Sequence, residues 1–137
     1  MEKVSEVNNA YNNGENKDLI LDLEKQAVAG VWIQTFGLII EAVSLSKLLL
    51  VSEELNTPGE RQITLGVWIS TIGQLIEAIG ASTEISTTDR TIIIEGQKMA
   101  ITGDWLKSFG AAIEATGGTK VLSEEQQAVR RRPSFVP

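Results

Sequence analysis

Apolar residues recur at helical spacing in three stretches of the chain. In the first stretch, Ile33, Phe36, Ile40 and Val43 fall on one face when successive residues are placed 100° apart. The second and third stretches repeat this face with Ile69, Ile72, Ile76 and Ile79, and with Leu106, Phe109, Ile113 and Thr116. The two-residue alternation of a strand fits poorly, because three successive apolar residues at 31–33 would occupy both faces. The pattern therefore predicts an all-α fold.

Turn and cap signals set the expected helix ends. The Pro-Gly pair in "NTPGE" (56–60) predicts a turn, "STTD" (86–89) offers N-cap residues, and "GGTK" (117–120) predicts a stop. We therefore expect helices over about 17–55, 60–85 and 89–116, with a short last helix opened by the capping box "SEEQ". The segment 91–102 also fits the start of a hairpin, because three isoleucines precede Glu-Gly. Helix is favoured there, because Gly96 continues a seven-residue glycine series.

The length of the first predicted helix bears on the overall shape. At 1.5 Å per residue it spans roughly 58 Å, whereas a compact domain of this size has a radius of gyration of roughly 14 Å. Either the helix breaks near Gly30 or Ser44–Ser46, or the molecule is a rod. We expect an elongated antiparallel bundle over 17–129, preceded by a polar segment (1–16) that lacks structure by composition and followed by a basic tail (130–137).

The three apolar stretches are copies of one motif. "GVWIQTFGLIIEAVS" (30–44) matches "GVWISTIGQLIEAIG" (66–80) at nine of fifteen positions, and "GDWLKSFGAAIEATG" (103–117) is the third copy. All three share Gly-x-Trp, a second glycine five residues after the tryptophan, and Ile-Glu-Ala. All the tryptophan of the chain lies in this motif, at Trp32, Trp68 and Trp105. The repeat therefore predicts three related helices.

The motif resembles the units of a family of repetitive proteins of unknown function from Gram-positive spore-forming bacteria, which read roughly Gly-x-Trp-Ile-Gln-Ala-Ile-Gly. The matching residues are Gly30, Trp32, Ile33, Gln34 and Gly37, then Gly66, Trp68, Ile69 and Gly73, then Gly103, Trp105, Leu106 and Gly110. The resemblance covers about residues 24–117 and implies no activity or catalytic residue. Asp104 and Lys107 depart from the pattern, which puts equivalent packing of the third copy in question.

Glycines recur at heptad spacing within the predicted helices. The three series are Gly30, Gly37 and then Ser44; Gly59, Gly66, Gly73 and Gly80; and Gly96, Gly103, Gly110 and Gly117. Each glycine within a helix costs roughly 0.5–1 kcal/mol relative to alanine. Close approach of a second helix offsets that cost, so the glycines predict a groove beside apolar ridges, one that just admits a methyl group. Alternatively, the glycines mark turns and each copy is two short helices.

The composition limits which catalytic and metal-binding side chains the chain can supply. The chain has 137 residues, a net charge of −6, and neither histidine nor cysteine. It therefore lacks the commonest general base and thiolate ligands, and an acidic chain is a poor partner for nucleic acid. Glu41, Glu77 and Glu114 recur after isoleucine in each copy, and we expect them to be solvated or paired between molecules rather than to form a metal or acid–base site. No cofactor is expected.

Two functions fit these observations. The first is a non-enzymatic structural protein that self-associates through repeated helix faces, as a cytoplasmic homo-oligomer. The residues expected to carry packing and self-association are Gly30, Trp32, Phe36, Gly37, Gly66, Trp68, Ile72, Gly73, Gly103, Trp105, Phe109 and Gly110. The second is a membrane-active or membrane-surface protein, although no run of 18 apolar residues predicts an ordinary membrane span. The three tryptophans are expected to be largely buried. The basic tail (130–137) is expected either to dock onto lipid or onto another copy of the chain, or to remain solvated.

Overall fold

The chain is all-helical, as the apolar spacing predicts. A computed structural model describes residues 2–131, and their side chains from residue 13 on. Three helices account for most of this part of the chain: α1 (Glu2–Val51), α2 (Pro58–Ile85) and α3 (Arg90–Arg131). Residues 132–137 of the expected basic tail lie outside the described residues. The segment 91–102 lies within α3, so the hairpin alternative is wrong.

Local side-chain chemistry explains why the two connections fall where they do. Thr57 is the N-cap of α2, where its hydroxyl accepts a hydrogen bond from the Glu60 amide at 3.2 Å, and Pro58 occupies the first turn. A carboxylate oxygen of Asp89 accepts a bond from the Thr91 amide at 2.8 Å, at the start of α3. The α1–α2 connection and the end of α2 therefore lie within a few residues of the expected positions.

Two expectations about the helices are wrong, and two alternatives that the sequence leaves open, a break in the first helix and glycines that mark turns, are not observed. The polar segment expected to lack structure is helical from Glu2 onward, and α1 continues without a break past Gly30 and Ser44 to Val51. The predicted stop at Gly117 and Gly118 does not occur, and α3 continues to Arg131 in place of a separate last helix. None of the described glycines has a positive φ, so the glycines do not mark turns.

The α2 helix is the centre of the arrangement. Both α1 and α3 pack on it, whereas within the described part of the chain no Cα atom of α1 lies within 8 Å of one in α3. The buried side chains are small or polar, and they include Ala42, Val67, Ala78 and Gln74. The large apolar side chains lie mostly outside: Phe36, Ile72 and Phe109, which hold the same position in the three copies, are 60%, 50% and 63% exposed. This apolar row therefore fills no groove of a neighbouring helix within the described part of the chain.

Candidate functional site

The α2–α3 contact is made by glycines on both helices. We call Gly59, Gly66, Gly73 and Gly80 the glycine face of α2, and Gly96, Gly103, Gly110 and Gly117 that of α3. A Cβ atom built on Gly73 would lie 2.5 Å from the Lys107 amide nitrogen and 2.7 Å from the Gly103 carbonyl oxygen. A Cβ on Gly66 would likewise lie 2.7 Å from the Gly110 carbonyl oxygen. The two backbones thus approach more closely than any side chain at these glycine positions would allow. Residue numbers increase along one helix as they decrease along the other.

The corresponding face of α1 has no such neighbour. Gly30 and Gly37 hold the motif positions of Gly66 and Gly73, yet a Cβ atom built on either would meet nothing within 4 Å. We call Gly30, Gly37 and Ser44 the glycine face of α1. Ile33, beside this face, is 72% exposed, whereas its α2 counterpart Ile69 is half-buried. The same motif is therefore packed in the second copy and open in the first.

The α1–α2 contact uses a different face, which centres on tryptophan and serine. The Trp32 indole N–H donates to the Ser82 hydroxyl at 2.9 Å, and the Trp68 indole N–H donates to the Ser46 hydroxyl at 2.9 Å. In both copies the serine lies 14 residues after the tryptophan of its own helix, so the two bonds are reciprocal. Ser46 and Ser82 each donate in turn to a carbonyl four residues back, that of Ala42 or Ala78, at 2.8 and 2.7 Å.

Small side chains fill the space between the two tryptophan–serine bonds. Thr35 and Ala42 of α1 and Thr71 and Ala78 of α2 are at most 5% exposed. We call Trp32, Thr35, Ala42 and Ser46 the tryptophan face of α1, and Trp68, Thr71, Ala78 and Ser82 that of α2. Gln74 is also buried, and its amide donates to the Val31 carbonyl at 3.3 Å. The contact is therefore polar at its edges and close-packed at its centre.

The third copy carries the same face without a partner in the described part of the chain. Its residues are Trp105, Ser108, Ala115 and Thr119, which we call the tryptophan face of α3. Trp105 is 75% exposed, compared with 39% for Trp68. Ala115 is exposed, whereas Ala42 and Ala78 are fully buried. The expectation that all three tryptophans are largely buried is therefore wrong. Trp32 is half-buried, whereas the side chains of Trp68 and Trp105 are both exposed, Trp105 much more so.

Charged side chains line the open groove between α1 and α3, which has a volume of about 450 Å³. Glu77 and Asp104 both pair with Lys107, and the ammonium of Lys107 lies 3.0 Å from the Asp104 carboxylate. Burial alone would lower the pKa of Lys107, but its hydrogen bonds to Glu77 and Asp104 raise it above the usual value. Burial, and secondarily the charge of Glu41, raise the pKa of Glu114. The glutamates of the three copies therefore differ in their surroundings.

We expect the glutamates at equivalent motif positions to respond oppositely to neutralisation. Glu114→Gln should raise the melting temperature at pH 7, because the raised pKa means that ionising Glu114 costs folding free energy. That gain should shrink as the pH falls through the raised pKa towards about 4, where the carboxyl is protonated in the unfolded chain too. Glu77→Gln should lower stability at pH 7 by about 1 kcal/mol, because Lys107 loses a partly buried partner. Thermal denaturation at the two pH values tests both, and a loss of stability on Glu114→Gln at pH 7 contradicts the assignment.

The groove offers little for catalysis or metal binding. The ionisable residues that line it are Glu41, Lys107 and Glu114, and its other polar side chains are those of Ser70 and two glutamines. Among the described residues, no cluster of three or more candidate ligands could hold a metal ion. The residues that the sequence missed are the small ones, Thr35, Thr71, Ala42 and Ala78. Their signal was present, because the alanine of Ile-Glu-Ala recurs in every copy.

Comparison with known proteins adds no relative: no protein-family model, curated protein or solved structure matches the chain. Two of the helices are long and apolar enough to cross a membrane by length and composition, among the residues that the structure describes: Asn13–Val51 and Pro58–Ile85. In the most apolar 18 residues of each of these helices, 11% and 50% of the residues are buried. Length and composition alone do not decide whether either helix spans a membrane, so the absence of a span stays a prediction.

Proposed function

We propose that the protein is a non-enzymatic structural protein that associates with copies of itself through its repeated helix faces. One observation supports this proposal above the others. Each copy of the motif has a glycine face and a tryptophan face, and α2 has both of its faces covered by its neighbours. The glycine face of α1 and the tryptophan face of α3 are the same surfaces left open. Surfaces that complement their own kind within one chain are suited to contacts between chains.

The exposed apolar side chains support the same proposal. Phe36, Ile72 and Phe109 are at least half exposed, and Ile33 and Ile40 of α1 are 72% and 67% exposed. Contiguous exposed apolar surface of this kind usually marks an interaction site. On this proposal the glycine stripes and the antiparallel bundle of repeat-related helices are the basis of assembly, in a cytoplasmic homo-oligomer that needs no cofactor or nucleic acid.

A membrane-active protein is the second candidate, and a specific observation favours it. Small and polar residues such as Gly73, Ser70 and Ala78 lie between the helices, while large apolar residues face outward. Helices in lipid are packed in this way, because lipid covers the outer apolar surface and small residues let the helices approach. The most apolar window of α1 is only 11% buried. The charged residues of α3, such as Asp104 and Lys107, weigh against full insertion of that helix.

Light scattering coupled to size-exclusion chromatography separates the two functions. We expect the protein to elute as an oligomer whose mass rises with concentration, and to remain in solution when vesicles of neutral or anionic phospholipid are added. Lipid binding should be measured by vesicle flotation of the unaltered protein. A monomer that floats with the vesicles would overturn self-association in favour of the membrane candidate.

A further inference from the structure

The open tryptophan face of α3 carries the tryptophan, the hydroxyl and the small residues of the contact between α1 and α2. Thr119 lies 14 residues after Trp105, as Ser46 does after Trp32 and Ser82 after Trp68. Its hydroxyl donates to the Ala115 carbonyl at 3.0 Å, as the two serines donate to the alanine four residues before them. Its oxygen is therefore oriented as Ser46 and Ser82 are when each accepts an indole N–H.

The small residues along the same face indicate what kind of surface covers it. Ser108 and Ala115 are exposed on α3, whereas the residues at these positions, Thr35 and Ala42 on α1 and Thr71 and Ala78 on α2, are at most 5% exposed. The α1–α2 contact joins two copies of one motif by reciprocal bonds, so it is nearly self-complementary. A face that is complementary to itself is met by the same face of an identical chain, related by a two-fold axis.

We infer that α3 pairs with the α3 helix of a second copy of this chain, antiparallel, through its tryptophan face. Each Trp105 indole donates to Thr119 of the partner subunit, and the small residues between them pack as they do between α1 and α2. This inference rests on the proposed self-association and specifies one of its interfaces. It takes the α1–α2 contact as its template, and a second copy is the occupant that the template specifies.

Asp104 sets the strength of this contact. It holds the motif position of Val31, which is half-buried, and of Val67, which is 1% exposed. Pairing of α3 with a second α3 removes water from the Asp104 carboxylate, whose present partner is Lys107 at 3.0 Å. Desolvating this pair opposes association. The α3–α3 contact is therefore weaker than its template, and it forms or breaks with protein concentration.

Four single variants of the full chain test the inference by sedimentation equilibrium. Trp105→Ala and Ala115→Leu should raise the dissociation constant about tenfold or more, because one removes the indole that donates to Thr119 of the partner subunit and the other fills a site that admits only a methyl group. Asp104→Val should lower the dissociation constant about tenfold, because it restores the residue of the other two copies. Leu65→Ala is the matched control, because Leu65 is 55% exposed on α2, outside the proposed contact, and it should change nothing.

A disulfide reports the geometry directly, because the chain has no cysteine of its own. Ala111 lies at the edge of the groove and holds the motif position of Gln74, which is buried and donates across the α1–α2 contact. It is one residue from the midpoint between Trp105 and Thr119, so Ala111→Cys should oxidise to a covalent dimer at low protein concentration. Thr102→Cys, exposed on another side of α3, should form no covalent dimer under the same conditions. Helical circular dichroism confirms that each variant is folded.

The outcomes separate this inference from the proposed function. If the wild-type protein is oligomeric but Trp105→Ala and Asp104→Val leave its dissociation constant unchanged, and Ala111→Cys forms no covalent dimer, the α3 interface is overturned. Self-association itself would still stand. A wild-type protein that stays monomeric up to millimolar concentration overturns both. Weakening by Trp105→Ala together with tightening by Asp104→Val supports the inference, because a general loss of solubility or folding cannot move the two variants in opposite directions.

Discussion

Gly73→Ala should destabilise the protein, although alanine is the better helix former. The added methyl would lie 2.5 Å from the Lys107 amide nitrogen and 2.7 Å from the Gly103 carbonyl oxygen, and both are backbone atoms that cannot rotate away. Overpacking of this kind costs about 1–3 kcal/mol, and the gain in helix propensity recovers at most about 1 kcal/mol. Thermal or urea denaturation followed by circular dichroism should show the net loss. The sequence alone predicts a groove that admits a methyl group, and the structure leaves no room for one.

Gly37→Ala is the matched control for this prediction. Gly37 holds the same motif position in α1, and a Cβ atom there would meet nothing within 4 Å. Propensity acts alone in that case, so this variant should be more stable than the wild type by up to about 1 kcal/mol. Opposite signs for two identical substitutions at equivalent positions would confirm that close backbone approach, and not helix propensity, keeps glycine at position 73. Two stabilised variants would contradict the α2–α3 contact.

Ala78→Leu should also lower stability, through the other face of α2. Ala78 is fully buried between α1 and α2, so three additional carbons must displace a helix or distort its neighbours. Such overpacking costs about 1–3 kcal/mol, and we expect α1 to loosen from α2 first. Denaturation measures the loss, and faster amide hydrogen exchange at 31–46 than at 66–80 would locate it. Unchanged stability would contradict the tight α1–α2 contact.

Ala115→Leu provides the comparison within the same repeat position. Ala115 is exposed on α3, so the leucine should leave the stability of the isolated chain nearly unchanged. Its effect should appear only in association between chains, where it blocks the proposed α3 contact. The same substitution therefore reports on folding in one copy of the motif and on assembly in another. A large loss of folding stability from Ala115→Leu would mean that this face is already covered within the chain.

The sequence predicts the helical class and the breaks near 56–58 and 85 because both depend on local signals. Apolar spacing fixes the class, and the Thr57 cap followed by Pro58 fixes the start of α2. The end of α3 could not be predicted in this way. Gly117 and Gly118 form a strong local stop signal, yet Gly117 is buried against Gly59 of α2, and this packing keeps it within a helix.

The surroundings of the tryptophans could not be predicted for a different reason. Trp32, Trp68 and Trp105 have nearly identical local sequences, so periodicity gives all three the same surroundings. Whether each one is covered depends on which helices have a neighbour on that side. This is a property of the order of the helices and of the number of copies, and no local pattern records it. The carboxylates of the groove differ among the three copies for the same reason.

The parity of the repeat number determines which surfaces lie at the two ends of the molecule. Because contacts alternate between tryptophan faces and glycine faces along α1, α2 and α3, an odd number of copies leaves one face of each kind uncovered. An even number, arranged by the same rule, would leave two faces of one kind. A three-copy chain therefore has unlike ends. On the proposed self-association, pairing of like faces would join successive molecules through two different junctions, each of which could be strengthened or abolished without altering the other.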